Sequence, residues 1–215
     1  MTAPYAANAL VSVEDYLEGE KTSELRHEFI DGQLYAMGGA SRAHGLISNA
    51  LAFALTPAAR RKGCQLLTSG MKVRLDFSGQ QVFYYPDLML SCDPTDRDAY
   101  ICNRPCLIIE ILSPSTERVD RREKRWSYQT LPSLLEYVLV AQDRPQIEIY
   151  RRANQWQAEI FTSGELHLEC LDMNVSLHEV YQDIEFPPFR LIYPTVLENN
   201  ADYAPSPLAA KGGES

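Results

Sequence analysis

One apolar segment, residues 105–112 (PCLIIEIL), limits the folds open to this chain more than any other part of its sequence. Odd and even positions are both apolar, as in a strand that is covered on both faces of a sheet. Glu110 interrupts the run, and period-two alternation places its side chain on the same face as Ile108 and Leu112. An ionised carboxylate there costs several kcal/mol unless it is paired, protonated or bound to a metal. The sequence therefore predicts a central strand that carries a chemically specialised acid.

Asp87 presents the same problem within the apolar run YYPDLMLS. If the two strands are neighbours, the carboxylates of Asp87 and Glu110 come together, and each raises the proton affinity of the other unless a cation neutralises them. A hard divalent ion such as Mg²⁺ or Mn²⁺, held by one or two carboxylates plus waters, resolves this conflict. The alternative is that each acid pairs with an arginine such as Arg74 or Arg104, and spacing alone leaves both possibilities open.

A predicted helix through ERVDRREKRWSYQ follows the Glu110 strand and supplies cations. Asp120, Lys124 and Tyr128 lie at i, i+4 and i+8, which makes one stripe of the helix. If the helix folds back on the sheet, Lys124 points at the carboxylates, Tyr128 packs beside it, and Arg121 and Arg125 diverge. The alternative is a solvated helix face with an Asp120–Lys124 pair.

The remaining pattern indicates an α/β (α+β) fold with a central mixed sheet flanked by helices. Residues 12–20 begin with Ser12 as an N-cap, and Asp31-Gly32 joins two short strands as a tight hairpin turn. Residues 41–62 have helical apolar spacing, which Pro57 must kink or end. Further strands are predicted in MKVRLDF, VFYYPDLMLS, LLEYVLVA, QIEIYRR, QWQAEIFT and LHLECL.

The 215 residues suit one domain, which we place at residues 1–190. Residues 191–215 are small, polar and proline-rich and predict a flexible C-terminal tail, so truncation after Pro194 should change the melting temperature little. The N-terminus lacks a basic start and a continuous apolar core, which argues against a signal peptide, and no apolar run approaches a membrane span.

Five cysteines follow no recognisable framework, which predicts free thiols in a reducing compartment and a cytoplasmic protein. Cys102 and Cys106 are four residues apart with no second Cys or His pair nearby in the sequence, so a zinc site is not expected there. The formal net charge of −9 counts against a dedicated nucleic-acid binder, although a local basic patch can coexist with an acidic remainder.

Several segments, taken in order, resemble a known family. HEFIDGQLYAMGG, SRAHGLISNAL, YYPDLMLS, PCLIIEILSPST and REKRWSYQTLPSLLEYVLV are similar to the Uma-type restriction endonuclease family of cyanobacteria and other bacteria, within the PD-(D/E)XK nuclease superfamily. Five pieces in family order across residues 12–152 are far more specific than one motif. The resemblance implies a restriction-endonuclease-like core.

The resemblance also implies that Asp87 and Glu110 bind the metal ion, with the backbone carbonyl of Ile111 as a further ligand. The superfamily usually has a lysine two residues after the glutamate, and this chain has Leu112 there. Uma-type families resemble those in which the lysine role has moved to the next helix, which matches Lys124.

Three secondary candidates complete the implied site. Glu28 matches the family glutamate before the hairpin, His44 matches a helix histidine, and Tyr128 lies in the Lys124 stripe; a histidine satisfied at a helix–sheet boundary is the alternative for His44. The family often has EYWLVD where this chain has EYVLVA, and we have no mechanistic interpretation of that departure.

The expected activity is Mg²⁺- or Mn²⁺-dependent hydrolysis of phosphodiester bonds in DNA, without a membrane partner. Cutting both strands of a duplex with one site per chain would favour a homodimer or a higher homo-oligomer. The competing hypothesis is a catalytically inactive nuclease fold that serves as a binding or scaffold protein, which the acidic net charge favours.

Overall fold

The computed structural model describes residues 10–77 and 79–186. The helices are α1 (Val13–Gly19), α2 (Arg42–Lys62), α3 (Glu117–Val119), α4 (Arg125–Gln129) and α5 (Leu177–Tyr181), with a π-helical turn at Asp120–Lys124 and a 3₁₀ turn at Arg152–Asn154. The strands are β1 (His27–Ile30), β2 (Gln33–Ala36), β3 (Gln65–Thr68), β4 (Lys72–Phe77), β5 (Gln80–Tyr84), β6 (Leu88–Ser91), β7 (Ile101–Cys102), β8 (Leu107–Leu112), β9 (Glu136–Ala141), β10 (Ile147–Arg151), β11 (Ala158–Phe161), β12 (Glu165–Leu168) and β13 (Met173–Ser176).

A six-stranded mixed sheet forms the centre of the molecule, in the order β11-β10-β9-β8-β6-β3. The strands β8 and β9 are parallel, and their other neighbours are antiparallel. A second sheet has the order β2-β1-β5-β4-β7, and β12 and β13 form a separate hairpin. The predicted class, a mixed central sheet flanked by helices, is confirmed.

Strand β8 is buried along its whole length because both faces of the central sheet are covered. On one face, Ile109 and Ile111 pack in a core with the α2 residues Ile47, Leu51 and Leu55. On the other face, the second core contains residues of β8, of the second sheet and of α4: Ile108, Leu112, Val73, Val82 and Tyr128. Glu110 shares this second face, as the alternation predicts, and it therefore has to be accommodated inside an apolar layer.

The local signals at the N-terminal elements are confirmed. Ser12 Oγ accepts a hydrogen bond from Asp15 N at 3.0 Å and caps α1. Asp31 and Gly32 both have positive φ, 47° and 89°, which is the backbone of a tight two-residue hairpin turn. Helix α2 continues past Pro57 to Lys62 instead of ending there.

The segment VFYYPDLMLS is not one strand. Its first part is β5 in the second sheet, its last part is β6 in the central sheet, and Tyr85, Pro86 and Asp87 connect them. Proline has no N–H to donate to a strand ladder, so a change of sheet at Pro86 is physically reasonable. The long strand predicted here was wrong, and the break leaves Asp87 immediately before β6.

The predicted helix after β8 is confirmed as a continuous helical run over residues 117–129, with a π-helical turn at its centre. Such turns are uncommon and often occur at functional sites. The predicted strand QWQAEIFT is shorter, because Gln155 and Trp156 have positive φ and β11 begins only at Ala158.

The expectation of five free thiols was wrong. Cys64 is paired with Cys92, Cys106 is paired with Cys170, and Cys102 is free and buried. Across residues 10–77 and 79–186, no helix is both long enough and apolar enough to cross a bilayer. The predicted tail, residues 191–215, lies outside the described residues.

Candidate active site

The two acids singled out in the sequence meet at neighbouring strands of the central sheet. Strand β6 pairs with β8, with Leu88 opposite Ile109, so the residue before β6 lies beside Glu110. Asp87 N donates to Glu110 Oε2 at 3.4 Å, and Asp87 Oδ2 accepts from the backbone N–H of Ile111 at 2.7 Å. Strand pairing and these two bonds therefore fix Asp87 against the β8 backbone.

Lys124 lies among three carboxylates. Its Nζ is 2.8 Å from Glu28 Oε1, 3.3 Å from Asp120 Oδ1 and 3.4 Å from Glu110 Oε1. The Lys124 side chain is only 7% exposed, which excludes the alternative of a solvated helix face. We call Glu28, Glu110, Asp120 and Lys124 the lysine–carboxylate cluster.

Three tyrosines form the inner wall of this cluster. Tyr128 Oη donates to Glu110 Oε1 at 2.9 Å, and Tyr137 Oη donates to the backbone oxygen of Asp120 at 3.0 Å. The Lys124 ammonium lies 5.3 Å from the centroid of the Tyr84 ring, a cation–π contact. The rings exclude water on the core side, so the charges face one another in a medium that screens them weakly.

Burial dominates the acid–base behaviour of the cluster. It raises the pKa of Glu110 well above its usual range, an effect that Lys124 opposes and the neighbouring acids reinforce. Burial also raises the pKa of Asp120. Burial alone would lower the pKa of Lys124, but Glu110, Glu28 and Asp120 together hold it well above its ordinary value. Lys124 is therefore a fixed positive charge within the cluster.

His44 reaches the site from the first turn of α2. Ser41 caps this helix by accepting from His44 N at 3.0 Å, which orients the turn toward the sheet. His44 Nε2 lies 2.9 Å from Asp87 Oδ1. The hydrogen bond to Asp87 is the main cause that raises the pKa of His44, partly opposed by burial. His44 therefore contacts the candidate site through Asp87.

An open cleft of about 1160 Å³ gives access to these residues. Residues 35–44, which connect β2 to α2, form one side, and residues 110–117 at the end of β8 form another. Glu28, His44, Asp87, Glu110, Ile111, Asp120 and Lys124 all line it. The described lining contains seven acids (Glu24, Glu28, Asp87, Glu110, Glu117, Asp120 and Asp143) but three Lys or Arg residues (Arg26, Arg42 and Lys124).

The donor set of this cleft suits a hard divalent cation. Carboxylates of Asp87 and Glu110 and the main chain at Ile111 supply oxygen atoms, the ligands that Mg²⁺ and Mn²⁺ prefer. Glu28 Oε1 and Asp120 Oδ1 are buried, and among the described residues neither accepts a well-formed hydrogen bond, although both lie within ion-pair distance of Lys124. The cluster thus has an excess of negative charge and incompletely satisfied oxygens, which an added cation would offset.

The structure brings together every residue that the sequence singled out for the site. The arginine alternative for the two acids fails, because Arg74 pairs with Asp76 and Arg104 with Asp93. Arg121 turns toward Glu148 and Arg125 stacks on Tyr150, so both diverge from the site as predicted.

Asp120 is the site residue that the sequence analysis missed. It appeared there as a member of the Lys124 stripe and as the partner in the alternative surface pair, without a role in the site, whereas it is 2% exposed and part of the cluster. The i,i+4 spacing to Lys124 was the available signal.

Together, a mixed sheet with an acid on each of two neighbouring chain segments and a helix-borne lysine define a restriction-endonuclease-like protein. Residues 13–178 match the model of the Uma2 family, described as "Putative restriction endonuclease". This chain belongs to that family.

The chain is also similar to two uncharacterised proteins and to one solved structure. The uncharacterised protein slr1290 of Synechocystis sp. PCC 6803 is 32% identical over 188 residues, 86% of this chain and 98% of that protein. A second uncharacterised Synechocystis protein, sll1609, is 29% identical over 156 residues, 70% of this chain and 87% of that protein. The crystal structure of "a putative nuclease belonging to DUF820" from Anabaena variabilis has a TM-score of 0.64 at 15% identity, over 80% of this chain and 98% of that one. That similarity concerns the fold.

Proposed function

We propose that the protein is a divalent-metal-dependent nuclease that hydrolyses phosphodiester bonds of DNA in the cleft beside Asp87 and Glu110. The observation that carries the proposal is the meeting of Glu110, on β8, and Asp87, immediately before the adjacent strand β6, next to a buried lysine. Membership of the Uma2 family supports the reaction class.

Asp87, Glu110 and the carbonyl of Ile111 would hold the metal ion. The bound ion would supply a water of lowered pKa and polarise the scissile phosphate. Binding it between Asp87 and Glu110 would relieve the charge excess of the cleft, which otherwise repels a polyanion.

The protein's own side chains have separable roles. Lys124, held protonated by Glu28, Asp120 and Glu110, would stabilise negative charge on the phosphate. Its raised pKa favours this electrostatic role over proton abstraction. His44 would orient Asp87 through the 2.9 Å contact, and Tyr128 would orient Glu110 from the apolar side.

A second candidate function, binding without cleavage, is favoured by one observation. Both oxygens of Asp87 and both oxygens of Glu110 already have protein partners, so the site is internally paired as it stands. In that case Lys124 would be a structural counter-ion, and the protein would have the fold of a nuclease without its activity.

Cleavage assays separate the two candidates. Supercoiled DNA, linear duplex, single-stranded DNA and RNA would be incubated with the full chain in EDTA, Mg²⁺ or Mn²⁺. Asp87→Asn and Glu110→Gln should abolish cleavage, and Lys124→Gln should slow it by about 10²–10³-fold, the usual effect of losing one electrostatic donor. Asp76→Asn is the matched control, because Asp76 is half exposed and does not line the cleft.

The nuclease proposal requires metal-dependent cutting that Asp76→Asn retains and Asp87→Asn loses. Equal background cutting by wild type and Asp87→Asn would assign the activity to a contaminant. Lack of cutting on every substrate, together with retained folding, would leave binding without cleavage as the function. Cutting of RNA alone would keep the site and change the substrate.

A further inference from the structure

Four cysteines that are far apart in the sequence converge at one place, away from the lysine–carboxylate cluster. Cys64 follows α2, Cys92 follows β6, Cys106 precedes β8, and Cys170 follows β12. They form the pairs Cys64–Cys92 and Cys106–Cys170. We call these four residues the sulfur cluster. The remaining cysteine, Cys102, is not part of it.

The two pairs are in contact with each other. Cys92 Sγ and Cys106 Sγ are 3.7 Å apart, and the sulfurs of Cys92, Cys106 and Cys170 all lie within 4.8 Å of one another. In a tetrahedral zinc site with Zn–S bonds of about 2.3 Å, two sulfurs are separated by about 3.8 Å. The distance between Cys92 Sγ and Cys106 Sγ is therefore that of two ligands of one metal ion. Cys64 lies outside this group of three sulfurs and is joined to it through its bond to Cys92.

The backbone holds three of the four cysteines rigidly. Cys64 N donates to Ala59 O at 2.9 Å, Cys106 N to Leu90 O at 2.7 Å, and Cys170 N to Glu136 Oε2 at 3.0 Å. Cys64, Cys106 and Cys170 are buried, whereas Cys92 is the most exposed of the four. Entry of a reductant and a metal ion would therefore occur from the Cys92 side.

A lysine side chain lies next to the sulfur cluster. Lys62 Nζ donates to the backbone oxygen of Cys170 at 3.3 Å. A Zn²⁺ ion bound by four thiolates carries a net charge of about −2, because cysteine binds zinc as the deprotonated thiolate and the four negative charges exceed the +2 of the ion. The neighbouring ammonium would offset part of that charge.

We propose that the sulfur cluster, once reduced, is a structural Cys₄ zinc site, and that the two disulfides are its oxidised, metal-free form. Two equivalents of a dithiol reductant supply four electrons and four protons, which convert the two disulfides into four thiols while each dithiol closes to a cyclic disulfide. One Zn²⁺ then replaces the four thiol protons, which pass to solvent. The site would link α2, the strands β6 and β8 of the central sheet and the β12–β13 hairpin.

Cobalt is the probe, since a tetrahedral thiolate site gives Co²⁺ both charge-transfer and visible d–d bands. The full chain would be reduced with dithiothreitol, freed of reductant by anaerobic gel filtration and titrated with Co²⁺, then with Zn²⁺. We expect saturation at one cobalt per chain and displacement by zinc. Oxygen ligands such as Asp87 and Glu110 give no thiolate charge transfer, so metal at the cleft would not produce this signal.

Matched cysteine variants locate the site. Cys92→Ser should weaken cobalt binding by more than the roughly 10–100-fold that loss of a supporting residue costs, whereas Cys102→Ser should bind as wild type does. Circular dichroism would verify that both fold. In the reduced wild type, zinc should also slow iodoacetamide alkylation of Cys92, a readout that needs no variant.

Three results would each overturn the proposal: a reduced wild type without charge-transfer bands, a Cys92→Ser spectrum equal to wild type, or alkylation of Cys92 that zinc leaves unchanged. The inference does not depend on nuclease activity, because every readout is spectroscopic or chemical.

Discussion

Replacing Lys124 by methionine should destabilise the protein strongly, because it leaves the buried acids Glu110 and Asp120 and the partly buried Glu28 without their counter-ion. Methionine keeps most of the apolar stem and removes the charge. At an effective dielectric of about 20, each contact of Lys124 Nζ at 2.8–3.4 Å has a Coulomb attraction of about 5–6 kcal/mol before desolvation is subtracted. Loss of one partner from a buried ion pair costs about 3–5 kcal/mol net, and we expect Lys124→Met to fall in that range.

The penalty should depend on pH in a defined direction. Burial raises the pKa of Glu110 and Asp120, and removing Lys124 takes away the charge that opposes this rise. Acids whose folded pKa exceeds the unfolded value bind protons more tightly when folded, so the free energy of unfolding decreases as pH rises between those values. The cost of Lys124→Met should therefore be largest near pH 8 and smaller near pH 5, just above the usual pKa of a glutamate, about 4.3.

Urea unfolding followed by circular dichroism, in EDTA at pH 5 and pH 8, measures the change in the free energy of unfolding. Lys21→Met is the matched control, because Lys21 contacts only exposed Glu18 among the described residues and should change stability by at most about 1 kcal/mol. Adding Asp120→Asn to Lys124→Met should restore part of the loss. If the free energy of unfolding of Lys124→Met is within about 0.5 kcal/mol of the wild-type value at pH 8, Lys124 does not stabilise the lysine–carboxylate cluster and the reasoning is refuted.

Three further outcomes are expected. Tyr128→Phe removes the 2.9 Å hydrogen bond to Glu110 and should cost about 1.5–3 kcal/mol in urea unfolding; a change below about 0.5 kcal/mol would contradict that bond. Gly63, the C-cap of α2, has φ of +72°, so Gly63→Ala forces this φ on a residue with a side chain and should cost about 1–2 kcal/mol of stability. Gly45 lies inside α2, so Gly45→Ala should be neutral or stabilising. Thermal melts that show equal effects for the two variants would contradict this expectation. Burial, reinforced by Asp96, raises the pKa of Cys102 to about 12. In the chain with both disulfides formed, Ellman's reagent at pH 8 should therefore detect the Cys102 thiol only after denaturation. Rapid reaction of the folded protein would show that this thiol is accessible.

The site was more predictable from the sequence than the outer parts of the fold. Charged residues inside apolar runs are conspicuous because burial makes them costly, and this led to Asp87 and Glu110. The stripe spacing placed Lys124 on a possible inner face of the helix, and the family resemblance singled it out. The short strands β3 and β7 had no such signal, since strands of two to four residues are defined by their partners and not by their own pattern.

Two errors came from interactions between distant residues. The change of sheet at Pro86 depends on where β5 and β6 find partners, and apolar residues continue on both sides of the break. The cysteine pairs join residues 28 and 64 positions apart, so spacing along the chain carried no information about them. The spacing also left open whether Asp120 faces the sheet or forms a surface pair with Lys124, because its burial is a property of how the helical run docks.

The order of the lysine–carboxylate cluster residues along the chain determines when the complete site can form during biosynthesis. Glu28 comes from the first hairpin, Glu110 from β8, and Asp120 and Lys124 from a helical run that is translated only after β8 is complete. A partly synthesised chain that ends before this helical run contains Glu28 and Glu110 but not Lys124, their counter-ion. Strand β9, which pairs with β8, is synthesised later still. The complete arrangement is therefore a late product of folding, and an unfinished chain in the ribosome's vicinity lacks it.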